Sequence, residues 1–223
     1  MGISQPAAAQ WTGRGEAGFA VTSGNSDTTT ANAKIAVGLK FDAWEHSATI
    51  AGLYVRNDGR TSARRAEVSA QSRYGFSART FSFGGARYER DTFSGFAYQG
   101  IVNSGIGHKF IDSDVTRLSG QLGAGYKFAK ALDTLNQREN DVVGTAGLDF
   151  AHQLTQWTSI VDKFTIEATS DNNFLQNQLG LTVKMSDRFA LAVGYAVRHN
   201  TGPPPGFRKT DTQSTVNLVY EVK

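Results

Sequence analysis

The chain alternates small or apolar residues with polar ones from Trp11 onward, in segments of roughly 11 to 14 residues. A period of two is the pattern of a β-strand whose two faces meet different surroundings. In the segment 30–41, one face carries Ala31, Ala33, Ile35, Val37, Leu39 and Phe41. The other face carries Asn32, Lys34, Ala36, Gly38 and Lys40. The segment 189–198 separates in the same way, so the pattern predicts long strands with two unlike faces.

Continued along the chain, this pattern predicts twelve strands. They lie near 11–22, 28–41, 45–56, 64–76, 80–90, 97–111, 116–127, 141–153, 158–169, 173–185, 189–199 and 209–222. The connections between them alternate in length. Tight turns are expected at 42–43, 77–79, 112–114, 155–156 and 186–188. The other connections, most of them longer, are expected at 23–27, 57–63, 91–96, 128–140, 170–172 and 200–208.

An even number of strands, with short turns on one rim and longer loops on the other, is typical of bacterial outer-membrane barrels. We therefore predict an all-β fold, a transmembrane antiparallel up-and-down β-barrel of about twelve strands with short periplasmic turns and longer extracellular loops. Residues 11–223 are expected to form this single barrel. Residues 1–10, which include Ala7-Ala8-Ala9, are expected to be a signal-peptide remnant or a flexible tail.

A soluble barrel or sandwich would also alternate, with its apolar face inward. Two features favour the membrane. Strands of this length, tilted by ~40°, climb roughly 30 Å, which is the thickness of a bilayer core. Aromatic residues also cluster beside the predicted short turns, where they would form an interfacial girdle. They are Trp11, Phe41, Trp44, Tyr74, Phe76, Phe81, Phe110, Phe150, Trp157, Phe189 and Tyr220.

Two segments do not fit this pattern. In the fifth strand, Phe81 shares its parity with Arg87 and Glu89, so we predict a β-bulge at Gly84-Gly85 that turns the charges inward. In the ninth strand, Asp162 shares the parity of apolar residues, and no glycine or bulge is evident that would turn it inward.

Composition excludes several classes of protein. The chain has no Cys, which removes disulfides and thiolate chemistry, and no segment reaches the ~20 apolar residues of a membrane helix. Its 23 Lys and Arg and 20 Asp and Glu are dispersed, so we expect no nucleic-acid partner. We also predict no cofactor and no metal site. The expected partners are outer-membrane lipid and lipopolysaccharide, the barrel-assembly machinery during biogenesis, and small solutes.

Three stretches carry a family resemblance. They are Trp11-Thr12-Gly13 with 22–27; Arg87-Tyr88-Glu89-Arg90-Asp91 with 93–95; and 197–200 with 204–207 and 209–212. Through these stretches the chain resembles the YdiY-like family, described as salt-induced outer-membrane proteins of unknown biochemical function. The resemblance covers nearly the whole chain. The resemblance implies an exported barrel of a Gram-negative bacterium and supplies no catalytic residues. The charged or polar positions of its motifs that we single out are Arg87, Tyr88, Glu89, Arg90, Asp91, His199, Asn200 and Asp211.

The predicted inward face is ionic, with a modest excess of cations. It carries Arg14, Glu16, Lys34, Arg65, Glu67, Arg73, Arg117, Lys127, Asp149, Lys163, Glu167, Lys184, Arg198, Asp211 and Glu221. These side chains could line a narrow passive channel for ions or small, anionic solutes. They could instead fill the interior with salt bridges. The protein would then be a plugged, structural barrel that acts as a scaffold or as a stress-response protein of the envelope. Twelve strands are compatible with either outcome.

A hydrolase at the barrel rim is the third alternative, and we predict that the protein is not an enzyme. His46, His108 and His152 lie toward the short turns, where capping or interfacial roles are expected. Asp91, Asp211 and His199 approach the loop rim, but their spacing does not show that they converge. The glycines of strands six and seven have no following helix, so they are expected to permit bending or to clear space for an inward-folded loop, for which 128–140 is the best candidate.

Overall fold

A computed structural model describes residues 9–22, 28–91, 94–132, 138–204 and 206–222. These residues form twelve strands, each within a few residues of its predicted position. They are β1 (Gln10–Thr22), β2 (Thr28–Phe41), β3 (Trp44–Asn57), β4 (Arg60–Gly75), β5 (Thr80–Asp91), β6 (Phe96–Asp112), β7 (Thr116–Ala131), β8 (Arg138–Gln153), β9 (Thr158–Ala168), β10 (Asn173–Lys184), β11 (Phe189–Asn200) and β12 (Thr210–Val222). Residues 1–8 of the tail predicted at 1–10 and the predicted loop at 23–27 lie outside the described residues, and Gln10 of the predicted tail begins β1.

The sheet closes on itself. Every strand pairs antiparallel with its neighbours in sequence, and β1 pairs with β12 from Gly13 opposite Val222 to Ala17 opposite Leu218. This is the predicted up-and-down barrel. The described residues contain no helix that is long and apolar enough to cross a membrane.

The connections form two rims. The short-turn rim holds the connections at 42–43, 76–79, 113–115, 154–157 and 185–188, together with the first residues of β1 and the last residues of β12. The loop rim holds the turn at 58–59, the connection at 169–172, the described parts of those at 92–95, 132–137 and 201–209, and the ends of β1 and β2 that flank 23–27. The predicted division of the connections between the two rims is therefore present.

Two predicted loops are wrong in length. The connection expected at 57–63 is the two-residue turn Asp58-Gly59, whose φ angles of 46° and 77° match the type I′ turn that joins twisted strands. The connection expected at 128–140 is shorter because β7 continues to Ala131 and β8 begins at Arg138. At the ends of β3, β4 and β8 both faces carry polar side chains, and at the end of β7 Lys130 takes an outward position between alanines, so the alternation fades although the backbone ladder continues. Residues 128–131 and 138–140 therefore belong to the wall and are not part of an inward-folded loop.

The outward face is apolar along the middle of the wall. Its exposed side chains include Ile35, Ile50, Val68, Leu122, Val142, Leu148, Val193 and Leu218. Near the short-turn rim this face becomes aromatic, and neighbouring strands are linked by ring contacts such as Trp44 with Tyr74 at 5.0 Å and Phe189 with Tyr220 at 5.2 Å. An apolar band bordered by an aromatic girdle suits contact with acyl chains and their interface.

The bulge predicted at Gly84-Gly85 is absent. The register of β4 with β5 runs without a shift from Arg65 opposite Asp91 to Gly75 opposite Phe81. Phe81 and Phe83 therefore face inward together with Arg87 and Glu89, and they are only 3% and 4% exposed. Phe81 does not belong to the girdle. The prediction was wrong because it assumed that every aromatic side chain faces the lipid, whereas Phe81 and Phe83 pack inside the barrel.

The glycines of β6 and β7 make room for these inward rings. A Cβ on Gly107 would lie 2.2 Å from the Phe81 ring, and a Cβ on Gly105 would lie 2.8 Å from the Phe83 ring. On the outward face, a Cβ on Gly100 would lie 2.1 Å from the Phe128 ring. Single aromatic side chains therefore occupy the space that these glycines leave: Phe81 and Phe83 inside the barrel, and Phe128 on the outward face.

Asp162 faces outward, as its parity with apolar residues predicted, since it lies opposite Phe150 and Leu179. Its carboxylate accepts a hydrogen bond of 2.7 Å from the Asn177 side chain on the neighbouring strand. Its position level with the girdle residue Phe150 and this bond together lower the cost of placing a charge on this face.

Candidate functional site

Glu89 lies at the centre of a group of charged side chains inside the barrel, and it is fully buried. Arg198 Nη2 donates a hydrogen bond of 2.6 Å to Glu89 Oε2, and Arg198 Nη1 lies 3.7 Å from Asp91 Oδ2. Arg65 Nε lies 3.4 Å from the same Asp91 oxygen. These residues come from β4, β5 and β11, which place them on the inward face near the loop rim.

Arg87 extends the same group toward β9. Its Nη2 lies 2.7 Å from both carboxylate oxygens of Glu167, and its Nη1 lies 3.5 Å from Glu89. We call Arg65, Arg87, Glu89, Asp91, Glu167 and Arg198 the ionic cluster. Charge-assisted contacts of this length are strong when water is excluded from them.

The ionic cluster crosses the whole interior. β5 and β11 are six strands apart in a closed circle of twelve, so Glu89 and Arg198 come from opposite sides of the wall. A circular wall of this kind would be roughly 24 Å across, given the spacing and tilt of its strands. Two side chains cannot reach across that distance to a 2.6 Å contact. The barrel is therefore oval at this level, and its narrow axis joins β5 and β11.

Two buried aromatic rings support the cluster. The Phe174 ring lies 5.5 Å from the guanidinium carbon of Arg87 and 5.0 Å from that of Arg198. The Phe96 ring lies 5.6 Å from Lys127 Nζ. Rings at these distances attract cations through their π faces and keep water away from the charges. Sequence reasoning missed both rings, although Phe174 shares its strand parity with polar Gln176 and Gln178.

A lid lies above the cluster, formed by the connection 201–209. It joins β11 to β12 yet reaches the β5–β6 connection on the opposite side of the mouth. A Cβ on Gly95, whose φ is +90°, would lie 2.9 Å from Pro204 and 3.0 Å from Phe207. The lid is also fastened to the β9–β10 connection, because the Gly202 N–H donates to the Asn172 side chain at 3.0 Å. Pro205 lies outside the described residues.

Below the cluster the interior is hollow. A cavity of about 760 Å³ extends from Lys40, Lys109 and Arg117 at the short-turn rim up to Glu67 and to Arg65 of the cluster. Partway up, Arg73 Nη2 bridges from β4 to Asp149 on β8 at 2.9 Å, over the Phe81 ring. The cavity therefore approaches the loop rim from below and stops at the ionic cluster.

The predicted lumen residues all fall on the inward side of the strands, and the structure divides them into groups. The cavity is lined by Arg14, Glu16, Lys34, Arg65, Glu67, Arg73, Arg117, Asp149 and Lys163. Glu167 and Arg198 belong to the ionic cluster, and Lys127 lies beside it, 6% exposed. Lys184 and Glu221 lie near the short-turn rim, where Glu221 accepts a 2.7 Å bond from Arg14, and Asp211 lies near the loop rim opposite Arg198.

Two of the three stretches that carry the family resemblance, 87–91 and 197–200, meet in space on the inward face of the barrel. Glu89 and Asp91 contact Arg198, and Asn200 accepts a 2.9 Å bond from Asn172 beneath the lid. Tyr88 and Arg90 alternate with these residues and face outward. The stretches are about a hundred residues apart in the chain, so only the closed barrel brings them together.

The residues considered for hydrolysis do not assemble. His199 faces outward from β11 and shares a 2.8 Å hydrogen bond with Thr210, whereas Asp91 faces inward from the opposite wall. His46, His108 and His152 lie on the outward face, where they contact the girdle residues Trp44, Phe110 and Phe150. They act as interfacial side chains.

Comparison with known proteins places the chain in a family. Residues 15–222 match the family described as "Protein of unknown function, DUF481". The chain belongs to this family. A curated relative, the uncharacterized protein YdiY of Escherichia coli (strain K12), is 27% identical over 167 residues, which cover 74% of this chain. The chain spans 65% of the length of that relative.

Solved structures with little sequence similarity share the fold. The COG4313 outer membrane channel from Pseudomonas putida F1 aligns over 98% of this chain and 96% of its own, with a TM-score of 0.56 and 11% identity. The NanC porin aligns over 95% and 98%, with a TM-score of 0.53 and 9% identity. The protein is thus an outer-membrane β-barrel of the porin-like type, as the sequence predicted.

Proposed function

We propose that the protein is a narrow outer-membrane channel for small, mainly anionic solutes, and that the ionic cluster holds it closed in this conformation. The observation that carries the proposal is the cavity, which extends from the short-turn rim and is interrupted by one layer of charged side chains. A barrel built only as a scaffold has no need of a polar cavity of this size.

The lining of the cavity supports the preference for anions. Among the described residues, eight cationic and five acidic side chains line it, when the outward-facing Asp162 is left out. Most of the cations are neutralised by nearby carboxylates, but Arg117 and Lys163 form no ion pair within the described part of the chain. Their uncompensated charge would raise the local concentration of anions in a low-dielectric passage.

The composition of the cluster supports opening. Glu67 lies directly opposite Glu89 on the neighbouring strand, and like charges in opposite positions destabilise a strand pair. The strong contacts across the lumen therefore stand beside a carboxyl pair along the wall, Glu67 with Glu89, that is unfavourable whenever both groups are ionised. Loss of the contacts that Arg198 makes with Glu89 and Asp91 would remove the bridge across the narrow axis and open a path past the Arg87–Glu167 pair, between the cavity and the space beneath the lid.

Conductance in planar bilayers tests the proposal. The wild-type barrel should show rare openings, and the double variant Glu89→Ala/Arg198→Ala should show frequent openings, because both crossing side chains are removed. The matched control is Lys40→Ala/Glu45→Ala, which removes a 3.2 Å pair at the short-turn rim and leaves the cluster intact. Silence of both the wild type and the folded cluster variant would favour the scaffold function instead.

Selectivity is measured in the same bilayers from the reversal potential in a KCl gradient. Arg117→Glu/Lys163→Glu should shift the preference from chloride toward potassium, whereas Arg79→Glu on an exposed turn should leave it unchanged. Arg73 is a poorer probe because it is bound to Asp149, and Lys184 is not part of the cavity lining. An unchanged reversal potential in the Arg117 and Lys163 variant would contradict anion selection by this lining.

A further inference from the structure

A row of basic side chains lies on the outward face at the loop rim. Arg64 on β4 lies opposite outward-facing Tyr54, and Arg90 on β5 lies opposite outward-facing Ala66. Lys130 on β7 lies opposite Arg138 on β8. We call Arg64, Arg90, Lys130 and Arg138 the basic row. It has no part in the cavity or the ionic cluster.

Tyrosines mark the depth of the basic row in the membrane. Tyr54, Tyr88 and Tyr126 are exposed on the same outward face. Exposed tyrosines on a lipid-facing wall mark the boundary between acyl chains and headgroups. Arg64 is level with Tyr54, and Arg90 lies two residues beyond Tyr88, about 7 Å farther along the strand. The basic row therefore lies at the level of the outer-leaflet headgroups.

The basic row has no acidic partners within the described residues. None of its four side chains takes part in an ion pair, whereas Arg65 and Arg87, which alternate with Arg64 and Arg90, are paired inside the barrel. Lys130 and Arg138 are also direct cross-strand neighbours of like charge, which destabilises the sheet unless an anion lies between them. An external anion would stabilise this arrangement.

The opposite side of the barrel carries no such row. On β9 to β12 and β2, the described residues that face outward near the loop rim are apolar or uncharged, apart from the titratable His199. They include Ala168, Leu175, Val197, His199, Thr212 and Ala31. Arg208 and Lys209 belong to the lid, and Arg56 and Arg60 extend the basic side around the β3–β4 hairpin. Among the described outward-facing wall residues, the positive charge near the loop rim is therefore confined to one half of the barrel.

We propose that the basic row binds the phosphate groups of the phosphorylated glycolipid in the outer leaflet, the lipid A part of lipopolysaccharide. Arginine matches phosphate oxygens with two parallel hydrogen bonds, and each basic group at a membrane surface contributes to binding anionic lipid. The row faces the leaflet in which this lipid lies, and its charge is complementary to the phosphates. The proposal does not depend on whether the lumen conducts.

Native mass spectrometry of the detergent-purified barrel tests this site with two probes, diphosphoryl lipid A and dephosphorylated lipid A with the same acyl chains. The wild type should retain the diphosphoryl form in preference. Arg90→Gln/Arg138→Gln should weaken that binding by about 30-fold, as expected for the loss of two surface charges. The matched control, Arg79→Gln/Arg188→Gln, removes two exposed arginines from the short-turn rim and should bind as the wild type does.

Folding of each variant is checked by its heat-dependent shift on an SDS gel, which reports the closed barrel. Equal retention of the two lipid A forms by the wild type would overturn the proposal, because the phosphates would then contribute nothing. Equal losses in the row variant and in the short-turn control would also overturn it, since the effect would then reflect net charge and not this site.

Discussion

At the scale of single residues, the ionic cluster depends on pairs that are buried together. Glu167 is 6% exposed, and its carboxylate receives both short contacts from Arg87. Removing one partner of a buried pair leaves the other charge desolvated and uncompensated, which costs far more than the net contribution of the pair. The same reasoning does not apply to exposed pairs such as Lys40 and Glu45, which water screens.

Arg87→Met should therefore lower the free energy of unfolding by about 3–5 kcal/mol, because Glu167 stays buried without its partner. Arg87→Met/Glu167→Met should recover most of this loss. Urea titration of the barrel in lipid vesicles, followed by tryptophan fluorescence, provides the measurement. Lys40→Met, from the exposed pair, should change stability by less than about 1 kcal/mol. A double variant as unstable as the single one would contradict this assignment.

The identity of the inward residues could be predicted from parity alone, but their partners could not. Parity assigns Glu89 and Arg198 to the inner face, whereas their contact depends on the closure and oval section of the barrel. Parity was also right for Phe81, and the added bulge at Gly84-Gly85 was wrong, because a ring can pack inside when the neighbouring strand carries glycine at the paired position. The glycines that permit this are visible in the sequence, but the register that pairs Gly107 with Phe81 is not.

At the scale of elements, β5 and β6 fit together through these rings and glycines. Any side chain at Gly107 would collide with the Phe81 ring, whereas a Cβ on Gly84 of the adjacent strand meets nothing within 4 Å. The presence of each strand could be predicted from alternation because, along the middle of the wall, one face meets lipid and the other meets the lumen. The strand ends near Arg60 and Arg138 could not, since at the loop rim both faces of a strand meet water.

Gly107→Ala should lower the free energy of unfolding by about 1–3 kcal/mol, the usual cost of overpacking an interior. Adding Phe81→Ala should reduce the effect of the Gly107 substitution, because the space of the ring becomes free. Gly84→Ala is the matched control on the neighbouring strand and should have little effect. The same vesicle unfolding assay measures all three. If the Gly107 effect persists without the Phe81 ring, the packing described for β5 and β6 is wrong.

At the scale of the whole molecule, the barrel is a cylinder that is hollow on the periplasmic side and closed on the outer side. The cavity, the ionic cluster and the lid follow one another along the axis toward the loop rim. Sequence reasoning left an open channel and a plugged barrel as alternatives. The structure combines features of both, because the ionic cluster bridges the lumen near the loop rim, whereas the region below it is hollow although the Arg73–Asp149 pair crosses it.

The absence of Cys in the chain allows the closure to be measured with one introduced thiol. Ser69, which lines the cavity, is replaced by Cys in a barrel that carries a C-terminal affinity tag. An affinity resin then divides proteoliposomes into a bound fraction, with the short-turn rim outward, and an unbound fraction, with the loop rim outward. A charged, membrane-impermeant maleimide should label Ser69→Cys rapidly in the bound fraction and slowly in the unbound fraction. Equal labelling rates in the two fractions would contradict a lumen closed by the ionic cluster.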